Sequence, residues 1–555
     1  MKKVIARLLA VLLTVVCFLP AFSAAATQDG VPIRDTGTHP VVMLSGDGEA
    51  IYDADGNRLF KFSDLLSMVS GDGADSNALL GSVAAILKPF MLQGLLKDDW
   101  DPFYEALQTE VSKLTEGLRL DDNGNVVNGS DIGQNRRAEN AWNMTHDNKD
   151  DAGCYGAESY HFWYDWRKDP METADELHAY LEQVRSVTGH SEIGLIGRCV
   201  GNNVIAAYLH KYGTDGISGL GIDGTVSYGS EYISEALTGR FHLDTEAIAR
   251  MLKDSVAIGK VSVDPLLLAT IDVVNASGVP DRLVAATEAM LYQKLVEGMT
   301  SALALSTFFT MPCYWACILP DAYEEAKTYV FGPQDSEKRQ QYAGLIAKID
   351  TYQHTVRDHM DELLCALPEH GKKIGVVSKY GFQILPLGDR AGHVADQYTG
   401  VACSSFGATT STMFTRFDDA YVAQREQQGK GKYISPDRMV DASTCLFPDD
   451  TWFTKNISHS DWTYTENALL YTVVTADRQY TADEMCVARF TVKDKTTGEI
   501  VPMTADNCNT ETWEVRETAP GIRGALQRMQ RFFRAVTVWL YYLVQFAKTK
   551  VSQQS

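Results

Sequence analysis

The sequence predicts an α/β protein in which helices flank a mostly parallel central sheet. Apolar strand patterns alternate with amphipathic helix patterns between residues 160 and 230, which is the rhythm of a parallel sheet. The strand at 192–197 is apolar after Glu192, as expected where helices cover both faces of a sheet. Residues 231–370 are almost wholly helical in pattern and predict a large cap, after which a strand at 372–381 resumes the sheet.

These patterns divide the chain into six predicted segments. They are a signal peptide at 1–26, the first part of the α/β core at 27–230, a helical cap or lid at 231–370, the second part of the core at 371–464, a small β extension at 465–518 and a basic amphipathic helix at 519–555.

The first 26 residues have the pattern of a secretory signal. Three cations precede an apolar run from residue 8 to residue 22, and small residues follow at 23–26. A transmembrane anchor is the alternative, but the run is short and ends in small residues. We therefore expect a bacterial protein that is secreted or associated with the cell surface.

The cysteines indicate disulfides in an exported chain. Apart from Cys17 in the leader and Cys199, discussed below, eight cysteines remain. An even number in an oxidising compartment predicts disulfide pairing. The plausible local pairs are Cys313–Cys317 and Cys486–Cys508.

The charge distribution separates an acidic body from a basic tail. The chain carries −22, with +3 in residues 1–26 and +6 in residues 519–555, so the part between them carries −31. Such a body repels phosphate backbones, which excludes nucleic acid as a reasonable partner. The tail has an apolar, aromatic core from Phe532 to Phe546 and predicts a helix lying in a membrane surface. A helix docked on the acidic body is the alternative.

Residues 197–201 combine the features of a nucleophile elbow. The sequence Gly197-Arg198-Cys199-Val200-Gly201 follows an apolar strand and runs directly into a helix pattern. A turn of this kind lifts the central side chain above the sheet and places it at a helix N-terminus, where the dipole stabilises a thiolate. Cys199 is therefore the predicted nucleophile.

Two further segments carry a resemblance to known proteins. YDWRKDP at 164–170 and the cap segment at 311–332 resemble those of lecithin–cholesterol acyltransferases and lysosomal phospholipases, within the α/β-hydrolase superfamily. The elbow cysteine is similar to that of polyhydroxyalkanoate synthases. The resemblance implies an α/β-hydrolase fold and a hydrolase or acyltransferase that forms an S-acyl intermediate. The implied substrate is a small-molecule or lipid acyl ester or thioester, and no cofactor is implied.

The resemblance to bacterial lipases assigns the acid and the base. Asp437, in PDRMV, matches the Asp of their Asn-Asp-Gly-x-Val segment, and nearby Asp441, Asp449 and Asp450 are rival candidates. His459, in ISHSDW, follows it by 22 residues, in the chain order nucleophile, acid, histidine. The rival histidine is His393 with Asp389 as its acid. Asp461 matches a calcium position of some lipases, although a capping or surface role is the simpler interpretation.

The oxyanion-binding groups are expected to be backbone N–H groups. Val200 follows the nucleophile, and Asp47 matches the residue after the HG pair of the lipase pattern. An acidic residue at 47, Arg438 in place of glycine and a cysteine nucleophile all depart from that pattern. They permit a second hypothesis, a catalytically inactive protein that keeps the fold and binds lipid or another ligand at the cell surface.

Overall fold

The computed structural model describes most of the chain between residues 30 and 508, together with part of the tail. The described residues are 30–46, 48–61, 85–86, 88–95, 97–240, 269, 272–273, 294, 298, 307–384, 392–413, 415–494, 497–508, 529 and 533–542. The predicted signal peptide, Asp47 and Asp389 lie outside this set.

An eight-stranded sheet forms the centre of the molecule. In chain order its strands are β1 Val41–Leu44, β2 Tyr160–His161, β3 Ile193–Arg198, β4 Ile217–Asp223, β5 Lys373–Tyr380, β6 Thr451–Lys455, β7 Phe490–Lys493 and β8 Ile500–Pro502. Their spatial order is β2-β1-β3-β4-β5-β6-β7-β8. All neighbours are parallel except β8, which runs antiparallel to β7. The prediction of a mostly parallel sheet is confirmed.

The register of the parallel strands brings their carboxyl ends to one edge. Arg198 at the end of β3 pairs with Asp223 at the end of β4, and Asp223 pairs with Val377 of β5. On the far side of β5, Lys379 pairs with Thr454 of β6. The loops that follow β1, β3, β4, β5 and β6 therefore converge above this edge, where ligands bind in open α/β sheets.

Helices cover both faces of the sheet. The α-helices in the described part of the chain, including those of the cap, are Asp101–Thr115, Gln134–Asn143, Pro170–Thr188, Gly201–Tyr212, Glu231–Thr238, Pro312–Trp315, Tyr323–Phe331, Glu337–Gln341, Ala343–Thr355, Met360–Glu369, Val401–Ser404, Asp419–Gln427 and Tyr464–Thr475. The last of these packs under β3, β4 and β5 on one face. On the other face Pro170–Thr188 and Gly201–Tyr212 pack together over a larger apolar cluster, which buries the side chains of β3 and β4 that point that way.

The described part of the predicted cap is helical. Its helices bury an apolar cluster of their own around Trp315, Tyr323 and Phe331. Short two- and three-stranded sheets lie outside the central sheet. They join Thr36–Gly37 to Tyr155–Gly156, Ile51–Tyr52 to Arg58–Phe60 and Asp131–Ile132, Phe382–Gln383 to Val394–Ala395, and Thr409–Thr410 to Val440–Asp441.

The segment 465–518 differs from the β extension predicted for it. Residues 464–475 form a helix whose side chains are mostly buried, because it lies against the central sheet instead of in a separate unit. The strands β7 and β8 extend the central sheet at its edge. The alternating patterns in this segment are therefore those of edge strands of the core.

The predicted disulfides do not form in the structure. The nine cysteines of the described chain carry thiols. Cys313 and Cys317 lie one helical turn apart, and Cys317 Sγ donates to the Cys313 carbonyl at 3.2 Å. Cys486 and Cys508 pack in apolar clusters on different faces of the sheet.

The tail is described over residues 533–542, which are helical and have no buried residue. Among all described helices, none combines the length and the apolarity needed to cross a bilayer.

Candidate active site

Cys199 occupies a strained turn between β3 and the helix Gly201–Tyr212. Its φ of 50° lies in the left-handed region, which costs a non-glycine residue about 1–3 kcal/mol. The Cys199 N–H donates to the Asp223 carbonyl at 3.2 Å, which holds the turn against β4. The residue as a whole is only partly buried.

The glycines of the elbow are required by close packing. A Cβ on Gly197 would lie 2.3 Å from Asn202 Oδ1, and one on Gly201 would lie 2.8 Å from the Leu44 carbonyl oxygen. Real Cβ atoms do not approach other atoms so closely. Any larger residue at either position would push the turn away from β1 or from its own helix.

His459 is presented by the turn that follows β6. Its Nδ1 donates to Asp396 Oδ2 at 2.8 Å, and its backbone N–H donates to the Asp396 carbonyl at 2.9 Å. The ring also interacts electrostatically with the Cys199 side chain. The imidazole is thus buried between a carboxylate and a thiol, the order of groups in a nucleophile–base–acid triad.

Asp396 lies on the loop that follows β5 and is fully buried. Its Oδ1 accepts the N–H groups of Tyr398 and Thr399, both at 3.0 Å, which leaves Oδ2 for His459. The loop itself is tied to the segment after β4, because Thr399 Oγ1 donates to the Gly229 carbonyl at 3.1 Å. Backbone donors therefore orient the carboxylate toward the ring.

The electrostatics favour a protonated imidazole. Burial alone lowers the pKa of His459, but the Asp396 carboxylate and the Cys199 sulfur outweigh it and raise that pKa well above the ordinary value. A positive ring beside the sulfur stabilises the thiolate form of Cys199 in turn. The geometry thus suits a thiolate–imidazolium pair.

Asp437, predicted as the acid, does not contact His459. It is fully buried, 2.9 Å from Lys455 Nζ, and it accepts hydrogen bonds from Tyr380 and Ser435. These partners lie on the face of the sheet opposite Lys379, because Lys455 and Tyr380 form the next register pair. Asp437 therefore neutralises a buried lysine, and the carboxylate that contacts His459 is that of Asp396.

The remaining acidic candidates and His393 contact groups away from the nucleophile. Asp441 pairs with Arg425 at 2.8 Å, Asp449 accepts from Tyr433, and Asp450 accepts from Gln479. The side chain of His393 is half exposed and lies 3.5 Å from Glu231. Its predicted partner Asp389 is outside the described residues.

The loop after β1 approaches the nucleophile closely. A Cβ on Gly46 would lie 2.8 Å from Cys199 Cβ and 3.3 Å from its Sγ. Val200, predicted as an oxyanion donor, begins the elbow helix beside this loop. The other predicted donor, Asp47, lies outside the described residues.

The aromatic segment that follows β2 forms hydrogen bonds with the loop after β1. Tyr164 donates its hydroxyl to the Ser45 carbonyl at 2.6 Å, and Trp166 Nε1 donates to the Glu49 carbonyl at 3.0 Å. Ser45 Oγ and His161 Nε2 share a hydrogen bond of 2.8 Å. Burial lowers the pKa of His161 to about 3, helped by Arg198 and Arg136, so this ring is neutral at pH 7. The YDWR motif thus shapes the loop that faces Cys199.

An apolar cluster surrounds the sulfur on its remaining side. Val200, Val226 and Cys317 are buried there, and Cys199 and Ile233 pack against them. Asp461 is buried, and its side chain accepts the Ser458 N–H at 3.3 Å within the histidine turn. No group of three or more acidic, histidine or cysteine side chains in the described part of the chain could hold a metal ion.

A topological signal for Asp396 is present in the sequence. The strand at 372–381 is evident from its apolar pattern, and the acids of the loop that follows it, Asp389 and Asp396, are expected at the same sheet edge as Cys199. Asp437 is separated from that strand by more than fifty residues. The local likeness of PDRMV to the lipase segment is the more conspicuous pattern, and it indicates a residue that does not contact His459 in the structure.

Comparisons with known proteins give little further guidance. No family model matches the chain, and no curated protein matches it. Among solved structures, a chain from "The crystal structure of Tle4-Tli4 complex" is similar at 10% identity with a TM-score of 0.24, over 63% of this chain and 75% of that one. So low a score carries no argument about the site.

Proposed function

We propose that the protein is an α/β-hydrolase-fold enzyme that hydrolyses or transfers acyl groups through a Cys199–His459–Asp396 triad. One observation carries the proposal: the buried His459 ring binds Asp396 Oδ2 at 2.8 Å and interacts with Cys199 on a strained elbow. The order of strands and loops supports it, since nucleophile, acid and histidine follow β3, β5 and β6 at one sheet edge.

The chemistry follows from these positions. The Cys199 thiolate attacks the acyl carbonyl carbon, and the resulting oxyanion is stabilised by backbone N–H groups, with that of Val200 as the first candidate. The bond from the carbonyl carbon to the leaving group breaks as His459 gives that group its proton, which leaves an S-acyl thioester. Water, or an acceptor alcohol or amine, then attacks the thioester while His459 takes its proton. The Cys199 thiolate is released.

The apolar surroundings favour a hydrophobic acyl group. Val200, Val226, Cys317 and Ile233 form an apolar wall beside the sulfur, and the cap above is itself apolar. A lipid-like ester or thioester is therefore the proposed substrate class. Export remains a proposal that depends on the leader, and no cofactor or calcium ion takes part in the proposed steps.

The tail supports delivery to a lipid surface. Phe533, Leu540 and Tyr541 share one helix face by their i, i+7, i+8 spacing, and they are 61%, 49% and 60% exposed. Six cations and no acid accompany them in residues 519–555. We propose that this helix lies on an anionic membrane surface, where apolar burial and charge attraction act together.

Steady-state kinetics with p-nitrophenyl esters of increasing chain length test the proposal. Hydrolysis is expected for the wild type, together with acyl transfer when an acceptor alcohol is added. Cys199→Ala and His459→Ala should each abolish both activities, while the protein remains folded. A wild type inactive toward the whole ester series and a phospholipid panel would favour the alternative, an inactive protein that binds its ligand.

A further inference from the structure

Four charged side chains are buried beneath the turn that carries His459. Arg198, Asp223 and Lys379 stand at or beside the carboxyl ends of β3, β4 and β5, and Glu466 lies in the first turn of the helix below. Each is at most 3% exposed. The proposed reaction uses none of them directly.

The four groups form one connected network. Lys379 Nζ lies 2.7 Å from Asp223 Oδ1 and 3.8 Å from Glu466 Oε2, and Arg198 Nε lies 3.5 Å from Asp223 Oδ2. The Arg198 guanidinium also stacks over Trp462 and reaches Asn467 Oδ1. Burying charges is expensive even when they are paired, so this site calls for a reason beyond stability.

Lys379 connects the network to the 458–461 turn that carries His459. Its Nζ donates to the Asp461 carbonyl at 2.8 Å. Asp461 in turn closes the turn, because its N–H donates to the Ser458 carbonyl at 3.0 Å and its carboxylate accepts the Ser458 N–H. His459 is the residue held between these two ends.

The same network also contacts Cys199 and the backbone next to the His459 imidazole. Arg198 immediately precedes Cys199, and the Asp223 carbonyl accepts the Cys199 N–H. Gly224 follows Asp223 with a φ of +51°, and a Cβ there would lie 3.7 Å from the His459 ring. One buried cluster therefore fixes the nucleophile and the base relative to each other.

We propose that Lys379 is a positioning residue whose ammonium, held by Asp223 and Glu466, fixes the 458–461 turn and keeps the His459 ring between Asp396 and Cys199. Its effect on turnover rests on the proposed function. A ring displaced by about 1 Å would cost on the order of 100-fold in the acylation rate.

Lys455 offers a matched control for general destabilisation. It is also fully buried and also paired with an aspartate, Asp437, at 2.9 Å. It points to the opposite face of the sheet, where it contacts Asp437, Met439 and the Cys508 carbonyl. Lys379→Met and Lys455→Met thus remove comparable ion pairs, and only the first should loosen His459.

The test compares acylation kinetics and a proton signal in the full-length variants. With a p-nitrophenyl ester, Lys379→Met is expected to lower kcat by about 100-fold with KM within about threefold, and Lys455→Met to leave kcat within about threefold of wild type. The His459 Nδ1 proton bound to Asp396 should give a downfield ¹H resonance, assigned by its loss in His459→Ala. We expect it in wild type and Lys455→Met and not in Lys379→Met.

A second variant guards against a failure to fold. Lys379→Met with Asp223→Asn removes both charges of the closest pair, so that Asp223 is not left as a lone buried carboxylate, and should show the same loss of kcat and of the resonance. The proposal is overturned if a folded Lys379 variant keeps both the wild-type kcat and the downfield resonance, or if Lys455→Met loses kcat and the resonance to the same extent. Since the resonance needs no substrate, an inactive wild type would refute the proposed function and leave the positioning role testable.

Discussion

At the residue scale, Asp396 and Asp437 are two fully buried aspartates with different partners. Asp396 accepts two backbone N–H groups and the His459 imidazole, whereas Asp437 accepts from Tyr380 and Ser435 and pairs with Lys455. The first arrangement orients a base, and the second neutralises a buried cation. Their substitution should therefore separate catalysis from stability.

Asp396→Asn is expected to lower kcat/KM by about 10³–10⁴-fold, because the amide neither fixes the ring tautomer nor stabilises the imidazolium. Asp437→Asn should instead lower the free energy of unfolding by about 3–5 kcal/mol, since Lys455 loses its counter-charge. Ester kinetics and urea unfolding of both variants check this. A large kinetic loss in Asp437→Asn at full folding would contradict the assignment.

The raised pKa of His459 predicts how the Cys199 thiol responds to pH. A positive ring beside the sulfur lowers the pKa of the thiol, so alkylation of Cys199 by iodoacetamide should remain fast below the ordinary thiol pKa of about 8.5. In Asp396→Asn the ring loses its counter-charge and becomes neutral at lower pH. The alkylation profile should then move to higher pH, as measured by the rate of Cys199 labelling.

At the scale of elements, the site is assembled from five loops above one sheet edge. The elbow after β3 and the histidine turn after β6 have recognisable local patterns, and the sequence suffices to predict that they follow sheet strands. Asp396 has no such local pattern, because its position is set by the strand that precedes its loop and by the backbone N–H groups of residues 398 and 399. Likewise, the prediction of a β extension is wrong for the helix at 464–475, whose side chains are buried on nearly every side because it packs against the central sheet.

The loop after β1 offers a prediction for the YDWR motif. Tyr164→Phe removes the hydroxyl that donates to the Ser45 carbonyl, so the loop facing Cys199 should lose a hydrogen bond worth about 0.5–1.5 kcal/mol. We expect kcat to fall by about 3- to 10-fold. Tyr160→Phe, whose hydroxyl donates to the His146 carbonyl instead, is the control and should leave kcat unchanged.

The tail helix makes a prediction of membrane binding. Phe533→Ser with Leu540→Ser should release the protein from vesicles containing phosphatidylglycerol, and added salt should do the same in the wild type. Trp142→Ser removes a similarly exposed aromatic side chain from the body and should not affect sedimentation with vesicles. Equal binding to neutral phosphatidylcholine vesicles would contradict the role assigned to the tail cations.

At the scale of the whole molecule, buried charges make stability depend on pH. Burial raises the pKa of Glu466 from 4.5 to about 7 against the opposing attraction of Lys379. A group whose pKa is higher in the folded state stabilises the fold at low pH, and this stabilisation disappears as the pH rises through the folded value. The contribution is about 3 kcal/mol, lost between about pH 4.5 and pH 7.

Glu466→Gln should remove this slope, so its free energy of unfolding should fall less than that of the wild type between pH 5 and about pH 8. Urea unfolding at several pH values measures it. Glu484→Gln is the control, because the pKa of Glu484 is lowered to about 2 and this residue does not titrate in that window. Identical slopes in wild type and Glu466→Gln would contradict the prediction.

The central claim is that Cys199 carries the acyl group during turnover. Intact-mass measurement after rapid mixing with a p-nitrophenyl ester tests it most directly, followed by peptide mapping and by treatment with neutral hydroxylamine, which cleaves thioesters. We predict one acyl adduct on Cys199, removed by hydroxylamine, absent from Cys199→Ala and formed far more slowly in His459→Ala. The account would be contradicted if Cys199→Ala turned over the ester without forming an adduct, or if another residue of the wild type became acylated.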